Sequence, residues 1–146
     1  MGAEIRFHGD RTLAAMNRRL QAAVLRSTML VHTQARLLCS RPARRVRRRR
    51  TRTTSAGPKG SQYTEFVSSL PGASPALRTG FGRSNVSFEI RSGGLEGRVG
   101  VNRDGRYMAY LELGTRRIAA RPWLKPALDA ARDTVIGMIR EAARPR

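Results

Sequence analysis

The chain is poor in the side chains that carry most enzyme chemistry. Its 146 residues include one cysteine, two histidines, ten acids and no apolar run near the roughly 18 residues of a membrane-spanning helix. A lone Cys39 excludes an intrachain disulfide and any cysteine-based zinc cluster, fits assembly in a reducing cytoplasm, and is expected as a small, semi-buried residue near a helix end. His8 and His32 have no second ligand type four residues away, and no HExxH, CxxC or carboxylate cluster with metal spacing occurs, so neither a metal nor another cofactor is expected. There is no GxSxG elbow for nucleophilic catalysis. Gly80-Phe81-Gly82 starts like a phosphate-cradling loop, but it lacks the third glycine and precedes a strand pattern instead of opening a helix, so it reads as a turn. Asp129 and Asp133, four residues apart, suit the positive half of a helix better than acid–base work. An enzyme is therefore not expected. The N-terminus also lacks the basic start, apolar core and small-residue cleavage site of a signal peptide, which points to a soluble chain made in the cytoplasm.

Arginine is what the chain has in abundance. It carries 29 Lys+Arg against 10 Asp+Glu, a formal net charge of +19, and only Lys59 and Lys125 are lysines. Such a field acts on any polyanion or acidic surface nearby, although GC-rich coding produces the same skew towards arginine. At this length one domain is expected, and 40% hydrophobic residues with a mean hydropathy of −0.46 predict a modest core that draws support from neighbouring subunits.

The apolar residues Leu13, Met16, Leu20, Val24, Val31, Ala35 and Leu38 recur at steps of three, four or seven, which predicts a long amphipathic helix over Arg11 to Leu38, capped by Asp10 or Thr12. Residues 40–75 follow as a basic arm rich in Ser, Gly and Pro. Its first part holds Arg41, Arg44, Arg45, Arg47, Arg48, Arg49, Arg50 and Arg52, whose mutual repulsion predicts a mobile, extended segment. Its second part lacks periodicity and is expected as loop, with Tyr63, Phe66, Val67 and Leu70 as docking points. Alternation then sets in. Val86, Phe88 and Ile90, followed after Ser92-Gly93-Gly94 by Leu95, Val99 and Val101, predict a hairpin, and the turn Asn102-Arg103-Asp104-Gly105 leads to a third expected strand over Tyr107 to Leu113. Pro122 and Pro126 bracket the start of a second helix, whose apolar face is Leu124, Leu128, Ala131, Val135, Met138, Ile139 and Ala142. The plan is α+β: long helix, basic arm, a small antiparallel sheet of three or four strands, and a C-terminal helix packed on it.

Two passages carry a resemblance. Ser74-Pro75-Ala76-Leu77-Arg78-Thr79-Gly80-Phe81-Gly82-Arg83-Ser84 is similar to the passage that precedes the sheet in a family of neck proteins from long-tailed bacteriophages. Tyr107-Met108-Ala109-Tyr110-Leu111-Glu112-Leu113-Gly114-Thr115, followed by Pro122-Trp123-Leu124-Lys125-Pro126-Ala127-Leu128, resembles that family's clearest mark. Trp123 stands where the family often has Phe, and Phe81 where it often has Leu; the basic arm is longer than the family pattern requires. The resemblance implies a non-enzymatic virion protein at the head–tail junction, in a neck, tail-completion, tail-terminator or minor-tail position. It further implies a cyclic homo-oligomer, six by the symmetry of the tail, that contacts the adjacent head-connector and tail proteins. The assembly residues it implies are Thr79, Gly80, Ser84, Tyr107, Glu112, Gly114, Thr115, Pro122, Trp123, Leu124 and Pro126.

Read without the family, Gly114 permits a positive φ at a strand exit, Thr115 bonds its local backbone, Glu112 lies beside Arg116 and Arg117 or a neighbouring chain's arginines, and Trp123 anchors the corner between strand and helix. The eight arginines of the arm suit DNA phosphates, an acidic neighbouring subunit, or solvent. A free basic DNA-binding protein is the competing expectation.

Overall fold

The computed structural model describes residues 9–144, without the side chains of residues 10, 51–54 and 57–59. Helix α1 spans Gly9–Leu38, so Asp10 and Thr12 lie inside its first turn instead of preceding it. Ala23, Val31 and Ala35 are buried along it, with Ser27 on the same line and Cys39 just beyond. Small side chains at steps of four let another backbone come close. That neighbour is the C-terminal helix α4, Leu124–Ala143, and at the contact the Ser27 hydroxyl donates to Met138 Sδ at 3.6 Å. Leu13, placed by periodicity on the inner face, is 55% exposed.

An adjacent face of α1 receives the hairpin β3 (Val86–Arg91) and β4 (Glu96–Val101), which pair antiparallel. The His32 ring lies 5.2 Å from that of Phe88, its Nε2 is 3.2 Å from the Val86 carbonyl, and the Gln21 amide donates to the Gly93 carbonyl. At Gly97 the strand comes so close that a Cβ would sit 1.8 Å from Thr28 Oγ1. This is the expected hairpin, but the sheet stops at two strands. The turn at Asn102–Gly105 is present, with the Gly105 N–H donating to Asn102 Oδ1 at 3.0 Å, and the chain leaves it as a helix.

Tyr107–Leu113, expected as a third strand, forms helix α3. The segment is apolar on both faces, so it satisfies a period of 2 and a period of 3.6 alike. Met, Ala, Leu and Glu favour helix. The helical period puts Met108 and Leu111 together on the core, where Met108 is 1% exposed, and leaves Tyr107, Tyr110 and Leu113 as an outer stripe.

The basic arm is also corrected. Arg44–Thr54 is strand β1 and Gly57–Val67 is strand β2, paired antiparallel in continuous register from Arg44 opposite Val67 to Thr54 opposite Gly57. Each strand is about 35 Å long. Repulsion does not prevent this, because alternation sends successive arginines to opposite faces, and same-face neighbours stand about 7 Å apart, close to the screening length of physiological salt. Tyr63, Thr64, Phe66 and Val67 supply strand-forming side chains on the second strand. The two strands form a sheet of their own, separate from β3 and β4, and pack mainly on each other.

The core is small, as its composition predicts. Ala35, Cys39, Val86, Met108, Trp123 and Ala127 form it, with Leu38, Val99, Val101, Leu111 and Leu124 around them. No helix among the described residues is long and apolar enough to cross a membrane.

Candidate functional site

Two features gather the residues singled out by sequence: a corner where α3 meets α4, and the ribbon formed by β1 and β2. The corner is built on Glu112. Its carboxylate accepts from the backbone N–H groups of Trp123 (2.6 Å), Leu124 (2.8 Å) and Lys125 (2.8 Å). A helix leaves its first N–H groups without internal partners, and no side chain within α4 caps it. Glu112 therefore serves the N-cap and first two helical positions, while the third is Pro126, which has no N–H. Every orphan donor of the first turn is accounted for. Of the partners expected for Glu112, Arg116 and Arg117 are not the ones it takes, because those arginines lie on the loop beyond Gly114 and the carboxylate's hydrogen bonds within the chain go to the helix N-terminus.

Trp123 is 1% exposed, and its indole N–H donates to the Met108 carbonyl at 3.0 Å, so the aromatic anchor expected at this corner is present, between two helices instead of strand and helix. Pro122 directly precedes it. Gly114 has φ 75° at the end of α3, and a Cβ there would meet Ala120 N at 3.0 Å and Ile118 O at 3.2 Å. Thr115 Oγ1 accepts from the N–H groups of Arg117 and Ile118, the local bond expected of it.

The earlier passage comes to the same place. Phe81–Ser84 is a one-turn helix, α2, where a plain turn was expected; Gly80 precedes it with φ 81°, Thr79 Oγ1 accepts from the Phe81 N–H, and the Ser84 hydroxyl donates to the Phe81 carbonyl. Phe81 stacks on Tyr107 at 6.1 Å, and Gly82 faces Met108 and Tyr107. Thr79 to Arg83, Tyr107, Met108 and Leu111 thus line a cleft of about 500 Å³ that also includes Cys39, Arg78 and Arg121. Burial, and secondarily the negative charge of Glu112, push the Cys39 thiol up to about 12.

The ribbon rises beside this cleft. Its root is fastened by Leu77, which donates to the Arg41 carbonyl and accepts from Ala43, and by Arg121, whose Nε donates to the Ser69 carbonyl. The Arg45 and Arg78 guanidinium groups both lie over the Phe66 ring, at 5.3 and 5.5 Å. Of the docking points expected in this stretch, Phe66 alone docks; Tyr63 is 47%, Val67 39% and Leu70 77% exposed.

Above the root the ribbon is basic on both faces. The register sets Arg44, Arg48, Arg50 and Arg52 on one side and Arg45, Arg47 and Arg49 on the other; the Arg52 side chain lies outside the described residues, and Arg41 stands below the first strand. Arg48 pairs with Glu65 at 2.9 Å, while Arg44, Arg47, Arg49 and Arg50 have no acidic partner among the described residues. Pairing also does what the arginine segment alone does not: it sets an aromatic ring, Tyr63, across from Arg48. Arg78 and Arg121, which fasten the root, carry no local sequence signal. Both act on residues distant in the chain.

No family of proteins, curated protein or solved structure was found to match the chain. Among the described residues no group of three or more His, Cys, Asp or Glu is placed to hold a metal ion.

Proposed function

We propose that the chain is a non-enzymatic structural virion protein of a tailed phage, one subunit of a closed ring of six at the head–tail junction, in the neck or tail-completion position. The observation that carries this reading is the Glu112–Trp123 corner. The residues through which the chain resembles phage neck proteins come from three stretches of sequence; two of them meet in one hydrogen-bonded unit with architectural work to do, capping a helix, anchoring a ring system and turning the chain at Gly114, and the third packs against it through the Phe81–Tyr107 stack.

The surface supports association as well. Tyr107, Tyr110 and Leu113 are 42, 52 and 82% exposed along one stripe of α3, next to the corner. Exposed apolar stripes of this kind favour a partner. A ring needs two different, complementary surfaces per subunit, and this stripe supplies one of them. Native mass spectrometry and negative-stain imaging, on the purified chain alone and mixed with the head-connector and tail proteins of the same phage, test the reading. The expected result is a ring of six subunits. A chain that stays monomeric and associates with neither partner would overturn it.

A further inference from the structure

We propose that the β1–β2 ribbon is a duplex-DNA-binding arm that lies along the groove of the double helix and contacts phosphates without reading sequence. This inference stands apart from the ring, because it concerns the isolated chain and a different part of the molecule.

Charge density is the first argument. Between Arg44 and Arg50 the ribbon carries six arginines within about 20 Å. One strand of duplex DNA carries a negative charge for about every 3.4 Å of axis, a comparable density of opposite sign. Within the ribbon only Glu65 offsets the positive charge.

Shape decides between partners. The arginines point from both faces, Arg48 and Arg50 one way and Arg47 and Arg49 the other. A flat acidic protein surface would match one face and strand the charges of the other. A groove has phosphates on both walls, and the major groove, about 12 Å wide, admits a two-stranded ribbon. Composition agrees with shape. From Arg47 to its partner Thr64 the paired strands offer Arg, Thr, Ser, Gly, Gln and Lys, with Tyr63 as the one aromatic residue and Ala56 and Pro58 at the tip as the other apolar ones. Stable protein interfaces are anchored on buried aromatic residues, with arginine among them only where it is packed and partnered. The outer ribbon offers one aromatic ring, Tyr63 opposite Arg48, and no cluster of such anchors. Its distance from the core also leaves it free to enter a groove without disturbing the fold.

Fluorescence anisotropy of the full chain with a labelled duplex of arbitrary sequence, across a sodium chloride series, tests the proposal. The logarithm of affinity should fall with the logarithm of salt at a slope of about −4.5 to −6.3, the value for some five to seven phosphate contacts. The variant R47Q/R49Q/R50Q should bind about tenfold or more weakly near physiological salt, with a slope shallower by about 2 to 3. R18Q/R26Q/R132Q, which removes the same charge from exposed positions on α1 and α4, should change the slope by less than about 1. Thermal unfolding of both variants should match the parent. Equal losses in the two triple variants would reduce the effect to net charge and overturn the proposal. So would tighter binding to a single strand of the same length, or a ribbon variant that loses oligomer mass while its DNA affinity is unchanged.

Discussion

Glu112 closes the helix that begins after Trp123: one carboxylate, reaching from the last turn of α3, takes three consecutive backbone N–H groups at 2.6–2.8 Å. The bonds are charge-assisted, and the negative charge sits at the positive end of the α4 dipole. Trp123 completes the joint by donating in the opposite direction, from its indole to the Met108 carbonyl one turn earlier in α3. A short helix that would be marginal alone is thereby tied to a long one at both ends of the contact.

Removing that carboxylate should be costly. Glu112→Ala is expected to lower stability by about 2–4 kcal/mol, because it strands the N–H groups of Trp123, Leu124 and Lys125 at a partly buried helix start. Glu112→Gln keeps an acceptor oxygen and should lose about half as much. Arg116→Ala/Arg117→Ala, on the exposed loop, should be within about 0.5 kcal/mol of the parent. Urea unfolding of the three variants measures this; if the double arginine variant is destabilised as much as Glu112→Ala, the carboxylate's partners have been misassigned.

Gly97 is required by the approach of β4 to α1. Its added Cβ would overlap Thr28 Oγ1, and that hydroxyl is already committed to the Val24 carbonyl at 2.7 Å. Gly97→Ala should destabilise by about 1–3 kcal/mol through overpacking. Thr28→Ala removes the colliding oxygen, so the double variant should recover a measurable part of the loss, with a coupling of at least about 0.5 kcal/mol in a double-mutant cycle. Strictly additive losses would show that the two side chains do not meet.

Cys39 makes the fold sensitive to alkali. Burial raises its pKa from the ordinary 9.0 to about 12, so between those values the folded chain keeps a proton that the unfolded chain has lost. Stability is therefore full below pH 9 and declines as pH rises towards 12. Tyr107, also raised by burial, adds a slope of the same sign. The decline in melting temperature across this range should be shallower in Cys39→Ala, and shallower again with Tyr107→Phe. At neutral pH the buried thiol should react with a thiol reagent far more slowly than the denatured chain does. Labelling at the denatured rate would contradict its burial.

Much of the plan was legible in the amino-acid order. The two end helices announce themselves because apolar residues at steps of three and four over many turns have no other regular explanation, and Pro122 and Pro126 mark where the second begins. The Val86–Val101 hairpin was equally plain, since strict alternation around Ser92-Gly93-Gly94 fits a strand pair and little else. The importance of Glu112, Gly114 and Trp123 was also visible, but their partners were not. Sequence neighbours point to arginines for Glu112, whereas its ligands are the N–H groups of a helix whose N-cap, Trp123, lies eleven residues later.

Tertiary structure decided the rest. Tyr107–Leu113 fits two periods, and the choice of helix is made by packing: only a helical turn sets Met108 and Leu111 on the core while Glu112 reaches α4. The arginine arm has no periodic apolar pattern, so periodicity alone does not distinguish a strand from a loop there. Its order comes from pairing residues as distant as Arg44 and Val67 and from the fastening at Leu77 and Arg121. Local composition alone determined that this segment would be long, basic and outside the core. That it is a two-faced ribbon, able to present guanidinium groups on both sides, depends on a register that only the folded chain possesses.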